Sequence, residues 1–73
     1  MTKVDGVKYE PQISIVELRA KNDKMTQKEF GEKIGVSPQT VSSWEKNIYS
    51  IRPKHLVRIC QEFKVTSEEL LGI

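Results

Sequence analysis

Residues 26–45 have the sequence TQKEFGEKIGVSPQTVSSWE, and this stretch decides the fold. Thr26 and Glu29 match the Thr-x-x-Glu capping box, in which each side chain bonds a backbone N–H that is free at the start of a helix. Phe30 and Ile34 lie four residues apart and therefore on one face of that helix, with charged residues around them. The pattern predicts a short amphipathic helix in the first half of the stretch.

A second helix is predicted to begin two residues after the first one ends. Gly35 ends the first helix, because glycine readily takes the left-handed conformation that follows a last turn. Ser37 is a favourable N-cap, and Pro38 suits the first helical position, where its missing N–H costs nothing. Val41 and Trp44, spaced by three residues, are expected to be buried. Two short helices joined by a glycine turn are the predicted result.

The outward face of the second helix carries small polar side chains, with a charge only at its end. These residues are Gln39, Thr40, Ser42, Ser43 and Lys46. A face that only meets water would more often carry Glu and Lys, as the preceding helix does. Side chains that both donate and accept hydrogen bonds suit a helix that contacts base edges in the DNA major groove. Simple tolerance of Ser and Thr on an exposed face is the competing interpretation.

Six residues at fixed spacing in this stretch resemble the helix-turn-helix of the Cro and repressor family of phages and bacteria. They are Gln27, Gly31, Gly35, Val41, Trp44 and Glu45. The resemblance extends from about Ile13 to Gly72. It implies an all-α fold, a compact five-helix lambda-repressor-like DNA-binding domain with the helix-turn-helix at helices 2 and 3.

The sequence departs from the family pattern at two places. Gly31 stands where alanine is more usual, and we expect either residue to permit the close approach of the two helices, although glycine lowers helix propensity by up to about 1 kcal/mol. The loop after Glu45 lacks the family's usual glycine and is about one residue longer.

The resemblance implies a sequence-specific DNA-binding transcriptional regulator, a Cro-like repressor or switch protein of phage type, with helix 3 in the major groove. The expected base contacts are Pro38, Gln39, Thr40, Ser42 and Ser43. Gln39 is the strongest of them, because an amide can bond adenine N6 and N7 together, whereas Pro38 offers only apolar contact. The expected phosphate contacts are Gln27, Lys28, Ser37, Lys46, Asn47, Arg52 and Lys54. So small a domain contacts few bases, and we expect two copies, as a homodimer on DNA, at a near-palindromic operator.

Helix 1 is predicted from about Gln12 to Asn22. Its inward residues are expected to be Ile15, Leu18 and, as a further candidate, Val16. In the family, an arginine at the place of Arg19 pairs with the acidic residue that ends the recognition helix, which here is Glu45. The resemblance therefore implies a structural ion pair between helices 1 and 3, contributing no more than about 1 kcal/mol if it is exposed to solvent.

The loop that follows helix 3 is unusually apolar, with Ile48, Tyr49 and Ile51 in five residues. Two interpretations stay open: the isoleucines complete the core, or the loop contacts a second protein chain. The candidate partner surface is Ile48, Tyr49, Ile51, Leu70, Leu71 and Ile73. On the second interpretation, the second chain is either an identical subunit or a companion repressor protein. The alternative function is a modulator that docks on such a repressor and has little DNA affinity of its own.

Two further helices are expected after this loop. Pro53 opens helix 4, whose apolar stripe at i, i+3, i+4 and i+7 belongs to the core. That stripe is Leu56, Ile59, Cys60 and Phe63. Helix 5 begins at a second capping box, Thr66 to Glu69, and ends at Gly72.

Residues 13–73 are expected to form one domain, and residues 1–12 a weakly ordered N-terminal arm. Lys3 and Lys8 of this arm could reach DNA phosphates or the minor groove. Val4, Val7 and Tyr9 could instead lie against the body or a partner. A frayed terminus explains the arm equally well.

Charge is distributed unevenly along a chain whose net charge is only +2. Residues 19–58 hold nine basic and four acidic side chains, a net of +5, and the flanks sum to −3. A basic middle with acidic ends would orient the helix-turn-helix toward phosphate. An ordinary mixed surface charge is the simpler alternative.

Enzymatic and metal-dependent functions find no support in the sequence. One cysteine, Cys60, and one histidine, His55, provide neither a disulfide nor a metal-binding pair, and no nucleophile, base and acid occur at workable spacing. We therefore expect no enzyme activity, metal, cofactor or small-molecule ligand. The N-terminus has no long apolar run, so we expect no membrane association and a protein of the bacterial cytoplasm, on DNA.

Overall fold

The computed structural model describes residues 10–72, which form five α-helices and one short 3-10 helix, η1, with no strand among them. The helices are α1 (Ile15–Lys21), α2 (Gln27–Ile34), α3 (Pro38–Lys46), η1 (Ile48–Ser50), α4 (Pro53–Phe63) and α5 (Ser67–Leu71). The predicted all-α architecture with five helices is confirmed. No helix in residues 10–72 has the length and apolarity that a membrane crossing requires.

The predicted N-terminal arm lies mostly outside the described residues, together with its candidate contacts Lys3, Lys8, Val4, Val7 and Tyr9. Its last part is described and is tied to the opposite end of the chain. The backbone N–H groups of Gln12 and Ile13 both donate to the carbonyl oxygen of Glu69, at 2.7 and 3.2 Å. Residues 12 and 13 are therefore anchored on α5.

Helix α1 is shorter than the predicted span from Gln12 to Asn22. Ser14 is its N-cap and forms a reciprocal capping box with Glu17, so the helix begins at Ile15. This Ser-x-x-Glu signal is visible in the sequence and would have corrected the start. The inward placement of Val16 is wrong, because its side chain is 49% exposed, while Ile15 and Leu18 are buried as expected.

The other predicted helix starts are present. Thr26 and Glu29 bond each other's backbone N–H groups at the start of α2, and Thr66 and Glu69 do the same for α5. Each box satisfies N–H groups that have no partner within the helix. Local hydrogen bonds of this kind set where the short helices begin.

The core combines residues from every α-helix. Its buried members are Ile13, Ile15, Leu18, Phe30, Ile34, Val41, Trp44, Ile59 and Leu70. The partly buried ring of Phe63 in α4 packs against this core and stacks on Phe30 of α2, with centroids 4.8 Å apart and planes 5° apart. The apolar faces of α2 and α3 are thus packed into this core.

Gly31 is required by the packing, and the expectation that alanine would serve equally is wrong. A Cβ atom there would lie 2.5 Å from the carbonyl oxygen of Val36 and 3.4 Å from Cγ2 of Val41. The chain folds tightly back over this position, since both Gly35 and Val36 donate their N–H groups to the Gly31 carbonyl. Backbone atoms must move to admit a methyl group.

The apolar loop after α3 is the 3-10 helix η1, and its isoleucines turn toward the core. Ile48 and Ile51 are half-buried and pack against the core cluster, as does Leu71. Leu70 is fully buried, so its assignment to a partner surface is wrong in this fold. Ile73, the last candidate for that surface, lies outside the described residues.

Candidate nucleic-acid interface

The turn between α2 and α3 is built on one left-handed residue. Gly35 has φ 92° and ψ 31°, and its N–H donates to the carbonyl oxygen of Gly31 at 2.7 Å. Ser37 then caps α3 by accepting a hydrogen bond from the Thr40 N–H, with Pro38 at the first position. This short connection lets α3 begin three residues after Gly35.

Helix α3 has one buried face and one face open to solvent. Val41 and Trp44 are buried against the core, and Gln39, Ser43 and Lys46 are exposed. The remaining predicted base contacts, Pro38, Thr40 and Ser42, are half-exposed. The structure therefore brings the five predicted base contacts together on one short helix whose polar face is accessible.

Hydrogen bonds within α3 determine which polar atoms remain available. Ser43 donates its hydroxyl hydrogen to the carbonyl oxygen of Gln39 at 3.1 Å, and the hydroxyls of Ser37 and Thr40 lie 3.1 Å apart. Within residues 10–72, the Gln39 amide makes no side-chain hydrogen bond. It can both donate to and accept from a ligand, whereas Ser43 is left as an acceptor.

The C-terminal end of α3 is held by an ion pair. Arg19 Nε of α1 donates to Glu45 Oε2 at 2.7 Å, so the pair implied by the resemblance is present. Arg19 Nη1 also donates to the carbonyl oxygen of Met25, in the turn before α2, at 2.9 Å. A second donor reaches the same carboxylate, since Gln27 Nε2 lies 2.8 Å from Glu45 Oε1.

A groove of about 440 Å³ runs between α3 and the start of α4. It is lined by Gly35, Val36, Thr40, Ser43, Trp44, Ser50, Arg52 and His55. A second groove of about 430 Å³ continues from it and is lined by Ile34, Gly35, Lys54, His55, Val57, Arg58 and Gln61. Neither lining contains a carboxylate, and three cations border them. The pair of grooves is suited to an anionic ligand beside α3.

His55 is a groove residue that sequence reasoning did not single out as a contact. It lies in the first turn of α4, half-buried, and it borders both grooves. A signal for His55 was present in the sequence: it lies two residues after Pro53, in the helix start that carries the predicted phosphate contact Lys54.

The predicted phosphate contacts fall into two groups. Lys28 is exposed in the first turn of α2, and Lys46 and Asn47 are exposed at the end of α3. The hydrogen bond between Gln27 and Glu45 joins these two helix ends. Arg52 and Lys54, also exposed, belong to the grooves on the other side of α3. Ser37 and Gln27 are engaged within the protein, the former as the α3 cap.

Among the described residues of the candidate partner surface, Tyr49 alone is exposed. Tyr49 is 59% exposed, and its hydroxyl donates to the carbonyl oxygen of Leu71 at 3.1 Å. The side-chain oxygen of Asn47 accepts a hydrogen bond from the Tyr49 N–H. With Ile48 and Ile51 turned to the core, little of the expected apolar patch remains exposed.

Comparison with known proteins identifies a family for the chain. A family model described as helix-turn-helix matches residues 15–70, which is most of the chain and extends from the start of α1 to Leu70 in α5. No curated protein and no solved structure matches the chain.

Proposed function

The chain belongs to the helix-turn-helix family of DNA-binding transcription regulators, and on that premise we propose that it is a sequence-specific regulator of the Cro and repressor type. Helix α3 would lie in the major groove of an operator, with its exposed polar face toward the bases. Occupying the operator would block transcription, as expected for a small domain of this type.

The observation that carries this proposal is the exposed side-chain amide of Gln39 on α3, which makes no hydrogen bond within residues 10–72. The N–H of a side-chain amide can donate to adenine N7 while the amide oxygen accepts from the N6 amino group, a pairing that distinguishes adenine from the other bases. Ser43, one turn further on, would accept a hydrogen bond from an exocyclic amino group of a neighbouring base pair. Pro38 would contribute an apolar contact, for example with a thymine methyl.

The cations around α3 would bind the DNA backbone. Lys28 and Lys46 lie near one end of α3, and Arg52 and Lys54 border the grooves beside it. Contacts of this kind fix the register of a protein on DNA but carry little information on sequence. We therefore assign affinity to these four residues and base selection to α3.

Two copies on one operator follow from the small size of the domain. One recognition helix of nine residues contacts few base pairs, and useful specificity then requires a second copy. Half-sites about one helical turn apart, roughly 34 Å, would place both helices on one side of the DNA. We propose a near-palindromic operator and a homodimer that forms on it.

Titration of labelled duplex DNA at two salt concentrations, followed by selection of bound sequences from a random duplex pool, tests this function. We expect binding that weakens steeply with salt, and a selected site with two related halves. Failure to select any sequence, with equal affinity for every duplex, would contradict sequence-specific regulation.

The alternative is a modulator that docks on a companion repressor. The exposed ring of Tyr49 and the non-polar Pro38 on the recognition face favour it. Its signature in the same titration would be negligible binding of the isolated chain to DNA and recruitment only when a repressor is added.

A further inference from the structure

The carboxylate of Glu45 in α3 accepts two hydrogen bonds, one from α1 and one from α2, and so joins three helices. Its two oxygens accept from Arg19 Nε in α1, at 2.7 Å, and from Gln27 Nε2 in α2, at 2.8 Å. Arg19 also donates to the carbonyl oxygen of Met25 just before α2. The end of α3 is therefore connected to α1 and to the start of α2, and both hydrogen bonds end on the Glu45 carboxylate.

The orientation of the Gln27 amide follows from its partner. A carboxylate only accepts hydrogen bonds, so the nitrogen of the amide, not its oxygen, faces Glu45. The remaining oxygen of Gln27 is an acceptor and cannot bond a phosphate, which is also an acceptor. At most one N–H of the side chain is left for DNA.

Glu45 needs both donors because of its place on α3. A negative charge in the last turn of a helix is opposed by the helix dipole, and this carboxylate is largely shielded from water, with 13% of the side chain exposed. Arg19 balances the charge from α1. Gln27 donates the second hydrogen bond to Glu45 from the first turn of α2, which also carries the predicted phosphate contact Lys28.

We propose that Gln27 is a positioning residue: through Glu45 it sets the orientation of α3 relative to the start of α2, and so aligns base contacts with backbone contacts. This inference rests on the proposed function, and it differs from the phosphate contact that the family resemblance implies for Gln27. Without the Gln27 bond, α3 would still fold on the core but would meet the bases at a less defined angle.

The two roles predict different effects on specificity. A phosphate contact adds similarly to the affinity for operator and for random DNA, because both present the same backbone. A positioning residue adds only to the affinity for the operator. The ratio of the two affinities therefore separates these roles, and a purely structural role would change neither affinity of the folded protein.

The experiment measures the affinity of the parent chain, Gln27→Ala and Lys28→Ala for the selected operator and for a random duplex of equal length. We expect Gln27→Ala to lower the operator-to-random ratio about tenfold, the equivalent of one hydrogen bond to a charged group, with random binding unchanged. Lys28→Ala, the adjacent control, should weaken both affinities together. Parallel loss in Gln27→Ala, or no change in either affinity, overturns the proposal.

Two further variants test whether Gln27 acts through Glu45. In a Glu45→Ala background, which has no side-chain acceptor for Gln27, Gln27→Ala should have little additional effect on the ratio; a full additional effect overturns the proposal. Gln27→Lys retains a donor for Glu45 and should keep the ratio near the parent value although the added charge strengthens all binding. Thermal melting by circular dichroism identifies the folded variants, and Gln27→Met, which keeps the length of the side chain but has no N–H donor, provides the decisive ratio if Gln27→Ala is unfolded. Absence of DNA binding by the parent chain would instead refute the proposed function.

Discussion

The indole of Trp44 lies against the imidazole of His55, with ring centroids 5.5 Å apart and planes tilted by 47°. This contact joins the buried face of α3 to the first turn of α4, beneath the groove that both helices line. Helix α3 and the start of α4, which carries Arg52 and Lys54, therefore pack against each other through this contact.

Substitution of Gly31 by alanine should destabilise the protein, although alanine favours a helix. The gain in helix propensity is about 1 kcal/mol, and the clash with the Val36 carbonyl oxygen should cost about 1–3 kcal/mol as an overpacking effect. Urea unfolding should therefore show a net loss. Glu32→Ala, at an exposed position of the same helix, should change stability by less than about 0.5 kcal/mol. A more stable Gly31→Ala variant would show that the backbone yields easily.

Loss of the Arg19 side chain should cost about 2 kcal/mol of unfolding free energy. It leaves a largely buried carboxylate with one neutral donor, and unpaired buried charges are costly. Arg58→Ala is the matched control, because its pair with Glu62 is open to solvent: the side chains there are 52% and 31% exposed, against 21% and 13% for Arg19 and Glu45. The control should lose less than about 1 kcal/mol. Equal losses in chemical denaturation would contradict this distinction.

Removal of the Gln39 side chain should weaken operator binding by about 1–3 kcal/mol and relax the choice at one base pair. The reason is the loss of a paired donor and acceptor from the exposed face of α3. Fluorescence anisotropy with operators varied one base pair at a time measures both effects. Gln12→Ala, an exposed glutamine outside the interface, should bind as the parent does. If Gln39→Ala discriminates every operator variant as before, Gln39 does not contact a base.

Replacement of Arg52 or Lys54 by alanine should weaken binding to all sequences by a similar factor. Each loses one phosphate contact, so the slope of log affinity against log salt should fall by about 1 per residue. Lys21→Ala, at the exposed end of α1, should leave the slope unchanged. A change in sequence preference with the slope intact would assign these residues to the bases instead.

The thiol of Cys60 should react slowly with iodoacetamide near pH 8. Burial raises the pKa of this thiol above its ordinary value. A higher pKa means less thiolate at a given pH, and thiolate is the reactive form. The same chain unfolded in urea should react faster at equal pH. Equal rates in the folded and unfolded states would indicate that the thiol is freely accessible.

Much of this fold could be predicted because its signals are local. The capping boxes at Thr26 and Thr66, the left-handed Gly35 and the proline at the start of α3 each act within three or four residues. Their hydrogen bonds are the same in any tertiary surrounding. The capping box of Ser14 and Glu17 belongs to this class as well, and it places the start of α1 at Ile15, three residues after the predicted start.

The sequence by itself determined where α2, α3, α4 and α5 begin and which face of α3 is apolar, because these depend on neighbours within one turn. Tertiary structure alone decided the rest. Glycine is favoured at position 31 because the turn brings the Val36 carbonyl, and the packing of α3 brings Val41, close to its Cα, and Leu70 is buried because α5 closes on the core. The Gln27 amide meets a carboxylate 18 residues away, which no local pattern encodes. Contacts between residues far apart in the chain depend on how whole helices pack, and that packing is a property of the entire core.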